Sequence, residues 1–276
     1  MVNNEFNSTY KNLEDCLPEK TPPPSLPLLT ATGIAKSFGG IKAVNNAEIE
    51  VNKGSITGLI GPNGAGKTTL FNLLSNFIRP DRGTVVFDGE QIQHLQTHQI
   101  AQQGMVRTFQ VARTLSRLSV MENMLLAAQK QTGEKFWQVL LQRKLIATEE
   151  RQLRDRAMKL IESVGLAHMA NEYAGALSGG QRKLLEMARA LMTNPKLILL
   201  DEPAAGVNPT LINQICDRIK LWNSEGMTFL IIEHNMDVIM SLCDRVWVLA
   251  EGQNLAVGTP AEIQTNAQVL KAYLGQ

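Results

Sequence analysis

The 276-residue chain has few cysteines: Cys16, Cys216 and Cys243. An odd number at wide spacing offers neither a disulfide framework nor a zinc-ligand pattern, and it suits a reducing compartment. Excess charge is also missing. Twenty-seven basic against 26 acidic residues leave a net charge of +1, so no global field argues for nucleic acid or an anionic membrane. No apolar run approaches the roughly 20 residues that a spanning helix needs. The longest runs, around Leu197–Leu200 and Phe229–Ile232, are strand-sized. The opening residues show no basic start leading into an apolar core, so no secretory signal is expected there. With 44% hydrophobic and 19% charged residues, a disordered or collagen-like chain is excluded.

Proline is concentrated at one end. Pro22, Pro23, Pro24 and Pro27 block helix and sheet pairing, which predicts a flexible Pro-rich tail over residues 1–27 and a folded domain over 28–276. From Leu28, LLTATGIAKSF and IKAVNNAEIEV alternate apolar and polar residues about Gly39-Gly40, the pattern of paired antiparallel strands. Ser55–Ile60 reads as a strand, and a helical period follows from Thr68 to about Phe77. From about Ala112 to Gly175 the period is mostly helical, with Leu153, Ala157, Leu160, Ile161 and Val164 on one stripe. Strand signals return at Leu197–Leu200, Phe229–Ile232 and Val246–Leu249. Strand–helix alternation predicts an α/β fold with a mainly parallel sheet, preceded by an antiparallel β subdomain and interrupted by a helical insertion.

Gly61-Pro62-Asn63-Gly64-Ala65-Gly66-Lys67-Thr68 fits G-x-x-x-x-G-K-[ST] between a strand and a helix, which is the context a phosphate-binding loop requires. Its glycines let backbone N–H groups turn toward phosphate oxygens, and the helix start adds its positive dipole end. Lys67 reaches the β- and γ-phosphates, and the Thr68 hydroxyl can ligate Mg²⁺; Thr69 follows within the same cradle. Farther on, Leu197–Leu200 delivers Asp201-Glu202-Pro203 to the carboxyl end of a buried strand, where parallel sheets bind ligands. Asp201 suits a Mg²⁺ shell, and Glu202 suits a base that polarises an attacking water. Together these motifs predict nucleoside triphosphate hydrolysis.

Leu177-Ser178-Gly179-Gly180-Gln181 opens another helix. Alone it is as readily a capped helix start as an anion site. Combined with the two preceding motifs, it makes the chain from Leu28 to Gln276 resemble the ATP-binding cassette family, whose signature is LSGGQ. The resemblance implies a P-loop NTPase core with a helical subdomain inserted at about 111–182. It also implies ATP and Mg²⁺ as ligands, with two cassettes sandwiching ATP head to tail. Ser178, Gly179, Gly180 and Gln181 would then contact the nucleotide held by the other cassette. In Arg107-Thr108-Phe109-Gln110, Gln110 resembles the loop glutamine that touches Mg²⁺ and water. His234, after Ile231-Ile232-Glu233, resembles the switch histidine, whereas His94, His98 and His168 match no motif. Phe38 resembles the family's adenine-stacking aromatic, with Val44 nearby as a further nucleotide-binding residue the resemblance implies.

Asn208 stands where the superfamily often has Asp. This departure, Phe38–Asn46, Val106–Gln110, the stretch from Gln129 to Gln152 and the ending Ala272-Tyr273-Leu274-Gly275 resemble a narrower branch, the ATPases of branched-chain amino-acid importers. That branch implies transmembrane permease subunits, a second ATPase subunit (identical or related) and, indirectly, a substrate-binding protein. It places the chain at the cytoplasmic face of the inner membrane and involves no nucleic acid. Competing readings are a cassette for urea import or lipopolysaccharide export, or a soluble non-transport cassette. The single P-loop and single LSGGQ disfavour tandem ribosome-acting cassettes. The about 110 residues between those motifs hold no sustained heptads, which disfavours a DNA-repair cassette. A small GTPase is disfavoured because Asn52-Lys53-Gly54-Ser55 lacks the guanine-reading carboxylate.

Overall fold

The computed structural model describes residues 27–108, 114–128 and 143–274. The Pro-rich segment before Pro27 and the loop residue Gln110 lie outside them. Strand β1 (Pro27–Phe38) pairs antiparallel with β2 (Ile41–Asn52), with Phe38 opposite Ile41 across a two-residue turn. Gly39 and Gly40 take φ of 51° and 89° there, the left-handed pair that matches the twist of a tight hairpin. After the strand β3 (Ile56–Ile60), β4 (Arg82–Phe87) and β5 (Glu90–Gln91) complete this sheet in the order β2-β1-β4-β5. The antiparallel layer is therefore not confined to the N-terminal hairpin. It recruits β4 from beyond the first helix, because Val85 and Phe87 need a covered face and are fully buried in it.

The second sheet adds β6 (Met105–Arg107), β7 (Leu197–Asp201), β8 (Thr228–Ile232), β9 (Arg245–Ala250) and β10 (Gln253–Gly258), in the order β10-β9-β3-β8-β7-β6. All its pairings are parallel except the β10 edge. Strands β3, β7 and β8 are buried along their whole length, so they read as continuous apolar runs rather than alternating ones. Alternation survives as a division between two cores. Leu197 and Leu199 face the antiparallel layer, while Ile198 and Leu200 face the helical side.

Helix α1 (Lys67–Leu74) fills the space between the sheets with Leu70, Phe71, Leu73 and Leu74, all at or below 1% exposure. Burial of each such side chain stabilises the packing by about 1.5–3 kcal/mol. After α2 (Thr97–Gln103), helices α3 (Val120–Leu125), α4 (Arg143–Ser163) and α5 (Gly179–Met192) pack on one another. The predicted α4 stripe faces this core, with Ala157 and Ile161 fully buried and Leu153 and Leu160 partly so. Helices α6 (Pro209–Ser224), α7 (Met236–Leu242), α8 (Pro260–Thr265) and α9 (Ala267–Leu274) contribute Ile215, Val238, Ile263 and Val269 to the same core. Among the described residues, no helix is long and apolar enough to cross a membrane.

Parallel pairing has one consequence for function. Asp201 registers with Ile232, and Leu59 with the same Ile232, so Gly61, Glu202, Glu233 and His234 all leave the sheet at one edge.

Candidate active site

At that edge the 61–68 loop joins β3 to α1. Gly66, with φ 93°, is the N-cap of α1, and a Cβ there would collide with the Ala43 carbonyl. Gly61, with φ 153°, has its own missing Cβ directed at the Leu249 carbonyl. Glycine is thus required at both positions by backbone packing as well as by conformation. The Lys67 ammonium donates to the carbonyls of Gly61 and Pro62 at 2.6 and 2.9 Å, folding the side chain back over its own loop. Burial holds its pKa below that of an ordinary lysine, while the Glu202 carboxylate pulls the other way.

The loop borders a cavity of about 470 Å³ lined by Ile41, Lys42, Ala43, Asn63 to Thr69, Glu202, Glu251 and Gly252. The Glu251–Gly252 turn is clamped there: the Gly252 N–H donates to Ala65 O, and Gly252 O accepts from the Asn45 N–H. Of the two predicted base contacts, Phe38 is exposed on the rim of the β1–β2 hairpin, with Lys36 Nζ 5.7 Å from its ring centre. Val44 does not share that surface. It is 1% exposed and belongs to the core, and its neighbours Ile41 to Ala43 line the cavity instead.

The carboxylates follow β7. Asp201 Oδ2 accepts from Arg107 Nη2 at 2.8 Å. The same guanidinium donates to Asn72 and Ser75 and lies over the Phe71 ring at 4.8 Å. Glu202 takes φ 49°, an unusual backbone for a residue with a side chain. His234 Nδ1 is 3.9 Å from Glu202 Oε1 and 3.9 Å from Glu233 Oε2. Glu233 is fully buried, and its carboxylate accepts from the N–H groups of Ala204 and His234 at 2.7 and 3.1 Å. It thereby fixes the loop after β7 to the loop after β8. A hard-oxygen donor set (the Thr68 hydroxyl at the start of α1, the Asp201 carboxylate at the end of β7) suits Mg²⁺.

Ser178 caps α5. Its hydroxyl accepts from the Gln181 N–H, and Gln181 Oε1 accepts from the Ser178 N–H, so the two form a capping box. None of Ser178, Gly179, Gly180 and Gln181 lines the P-loop cavity of this chain. Asn208 caps α6 by accepting from the Leu211 N–H at 2.9 Å, a task that needs only a side-chain oxygen.

Arg107, Lys183 and Glu233 join the site through contacts that no sequence motif specifies. Their signal was a charge where an apolar residue belongs: in a short strand, on the inner face of a helix, and directly after a buried run. Gln110 lies outside the described residues.

Comparison with known proteins settles the family. A family model described as ABC transporter matches residues 44–205, well over half of the chain. The chain belongs to the ABC transporter ATP-binding family. It is an ATPase of the P-loop class built on the expected α/β core. A second model, described as branched-chain amino acid ATP-binding cassette transporter, matches residues 253–276. The chain is 42% identical over 253 residues to the high-affinity branched-chain amino acid transport ATP-binding protein BraF of Pseudomonas aeruginosa, covering 91% of this chain and 99% of that one. It is 41% identical over 253 residues to the corresponding LivG of Escherichia coli K12, with the same coverage. Among solved structures, the ADP conformation of an ATP-binding cassette of an ABC transporter superposes with a TM-score of 0.77 at 38% identity, covering 91% of this chain and all of that one.

Proposed function

We propose that this chain is the ATP-hydrolysing motor subunit of a membrane importer for neutral, often branched-chain, amino acids. The observation that supports the reading is a separation within one chain: the P-loop lines its own cavity, and the LSGGQ helix start does not. A second cassette, identical or related, would supply the missing signature, and an asymmetric pair is the arrangement we favour. The names of the relatives and the match over 253–276 support the cargo class.

In this reading Lys67 and the N–H groups of Gly64 to Thr68 bind the ATP phosphates, and Phe38 stacks on the base. Glu202 holds and polarises the water in line with the γ-phosphate, and His234 orients Glu202 and contacts that phosphate. Thr68, Asp201 and Gln110 would hold Mg²⁺, which when bound neutralises phosphate charge. Closure of the two cassettes pulls on permease subunits through the helical subdomain at about 111–182, at the cytoplasmic face of the inner membrane. Hydrolysis reopens them, and a substrate-binding protein delivers the cargo from the other side.

The test is uptake of labelled leucine, alanine, proline, histidine, glutamate and urea in cells whose only copy carries Glu202→Gln, with immunoblots for level and membrane association. Selective loss of neutral amino-acid uptake is the expected result. Unchanged uptake of leucine and alanine, with the protein still at the membrane, contradicts the assigned cargo; loss confined to urea assigns a different one.

A further inference from the structure

Glu202 has a left-handed backbone, with φ 49°, that a residue with a side chain seldom keeps unless its surroundings hold it there. Its peptide neighbourhood is held from three directions. The Glu202 N–H donates to Ile232 O at 3.0 Å, fixing the residue to β8. The Ala204 N–H donates to buried Glu233 at 2.7 Å. Lys183 Nζ donates to Glu202 O at 2.9 Å and to Ala205 O at 3.1 Å, bridging both ends of the turn.

Lys183 comes from elsewhere in the chain. It lies on α5, the helix that begins at the signature, two positions beyond Gln181, and it is 8% exposed. A lysine rarely stays in such a place unless its ammonium has partners. Burial lowers its pKa from the ordinary value, and the carboxylates of Glu233, Glu186 and Glu202 push it back up. The cation thus meets two carbonyls of the catalytic turn.

We propose that Lys183 is a positioning residue that ties the alignment of Glu202 to the placement of its own chain's signature helix. The signature of a chain engages the nucleotide of the other cassette, while Glu202 of the same chain acts on the nucleotide in its own P-loop. A rigid link from Ser178 through α5 and Lys183 to the Glu202 carbonyl makes each site competent only when the chain's signature has docked at the other site. The two ATP molecules are then coupled through α5. This inference rests on the proposed roles of Glu202 and the signature.

The experiment uses the full-length chain in its assembled transporter and compares Lys183→Met, Lys183→Arg and Glu202→Gln. Three quantities are read: MgATP affinity, kcat, and the Hill coefficient of ATPase against ATP. Lys183→Met keeps the methylene packing but cannot donate. We expect its kcat to fall about 100-fold, the scale of a 1 Å misplacement of a reacting group. Nucleotide affinity stays at the parental value and the Hill coefficient falls toward one. Lys183→Arg, which can still bridge the two carbonyls, recovers most of the rate and the cooperativity. Parental kcat and cooperativity in Lys183→Met overturn the proposal. So does loss of folding in both Lys183 variants, which would make Lys183 a core residue only. Parental hydrolysis in Glu202→Gln is a different failure, because it removes the reading on which the proposal stands.

Discussion

Arg107 Nη2 lies 2.8 Å from Asp201 Oδ2, and the two side chains are 9% and 11% exposed. This pair joins the edge strand β6 to the carboxylate that ends β7. Through Asn72 and Ser75 it also joins both to α1, the helix on which the phosphate loop turns. Arg107→Met leaves Asp201 buried without its cation. Breaking one side of a buried pair costs about 3–5 kcal/mol, and that loss is expected in urea unfolding. A loss below about 1 kcal/mol would show the pair to be no stronger than an exposed one.

Lys67 carries a pH prediction. Burial is the main influence on it and lowers its pKa below the ordinary lysine value of 10.5. The nucleotide-free protein therefore gives up this proton earlier than a free lysine does. Phosphate binding needs the ammonium, so ATP affinity should weaken as pH rises toward 10.5, earlier than an ordinary lysine would cause. Lys67→Arg, whose guanidinium stays charged, should show no such decline whatever its absolute affinity. The folded state disfavours the charged form, so this group's contribution to stability has the opposite sense: it rises with pH over the window just below 10.5. Nucleotide titrations across that range check the first point, and thermal melts check the second.

Ser178→Arg places a long cation at the capped start of α5. ATP binding by the isolated chain should stay at the parental level, because Ser178 does not line the P-loop cavity. ATP-dependent dimer formation should disappear in light scattering. Loss of monomer binding instead would place the signature in its own chain's site.

Gly66→Ala tests the loop backbone. The added methyl must displace the Ala43 carbonyl, and φ 93° is strained for alanine. A destabilisation of about 1–3 kcal/mol is expected, together with weakened nucleotide binding. Gly64→Ala meets nothing within 4 Å and has a φ of 77°, so only the backbone penalty applies and the loss should be smaller.

The parts of the site that were legible in sequence are those carried by contiguous residues. The phosphate loop, Asp201-Glu202 and the signature each pack their chemistry and their backbone requirement into a few positions. The pairing of Arg107 with Asp201 spans 94 residues and follows from the register of β6 beside β7. A three-residue edge strand has too little periodicity to announce that register. Lys183 is hidden for a different reason: the helix wheel sets it on the buried face with Met187 and Ala190, and only the turn after β7 supplies the partners that explain a cation there. Val44 is a matter of one residue of alternation, since Ile41 to Ala43 open to the cavity and Val44 turns into the core. Strands β4 and β5 are hard to read from sequence because they join a sheet begun before the phosphate loop.

In the proposed function Glu202 drives turnover of ATP held by the 61–68 loop, and its action opens a two-cassette sandwich. The direct measurement is ATP hydrolysis and molecular mass, side by side, for the parent chain and Glu202→Gln with MgATP. Glu202→Gln is expected to bind ATP as the parent does, to lose at least about a hundredfold in turnover, the lower range for a positioned acid–base group, and to accumulate as a dimer containing ATP. Turnover at the parental rate, or a variant that binds ATP and remains a monomer, would contradict it.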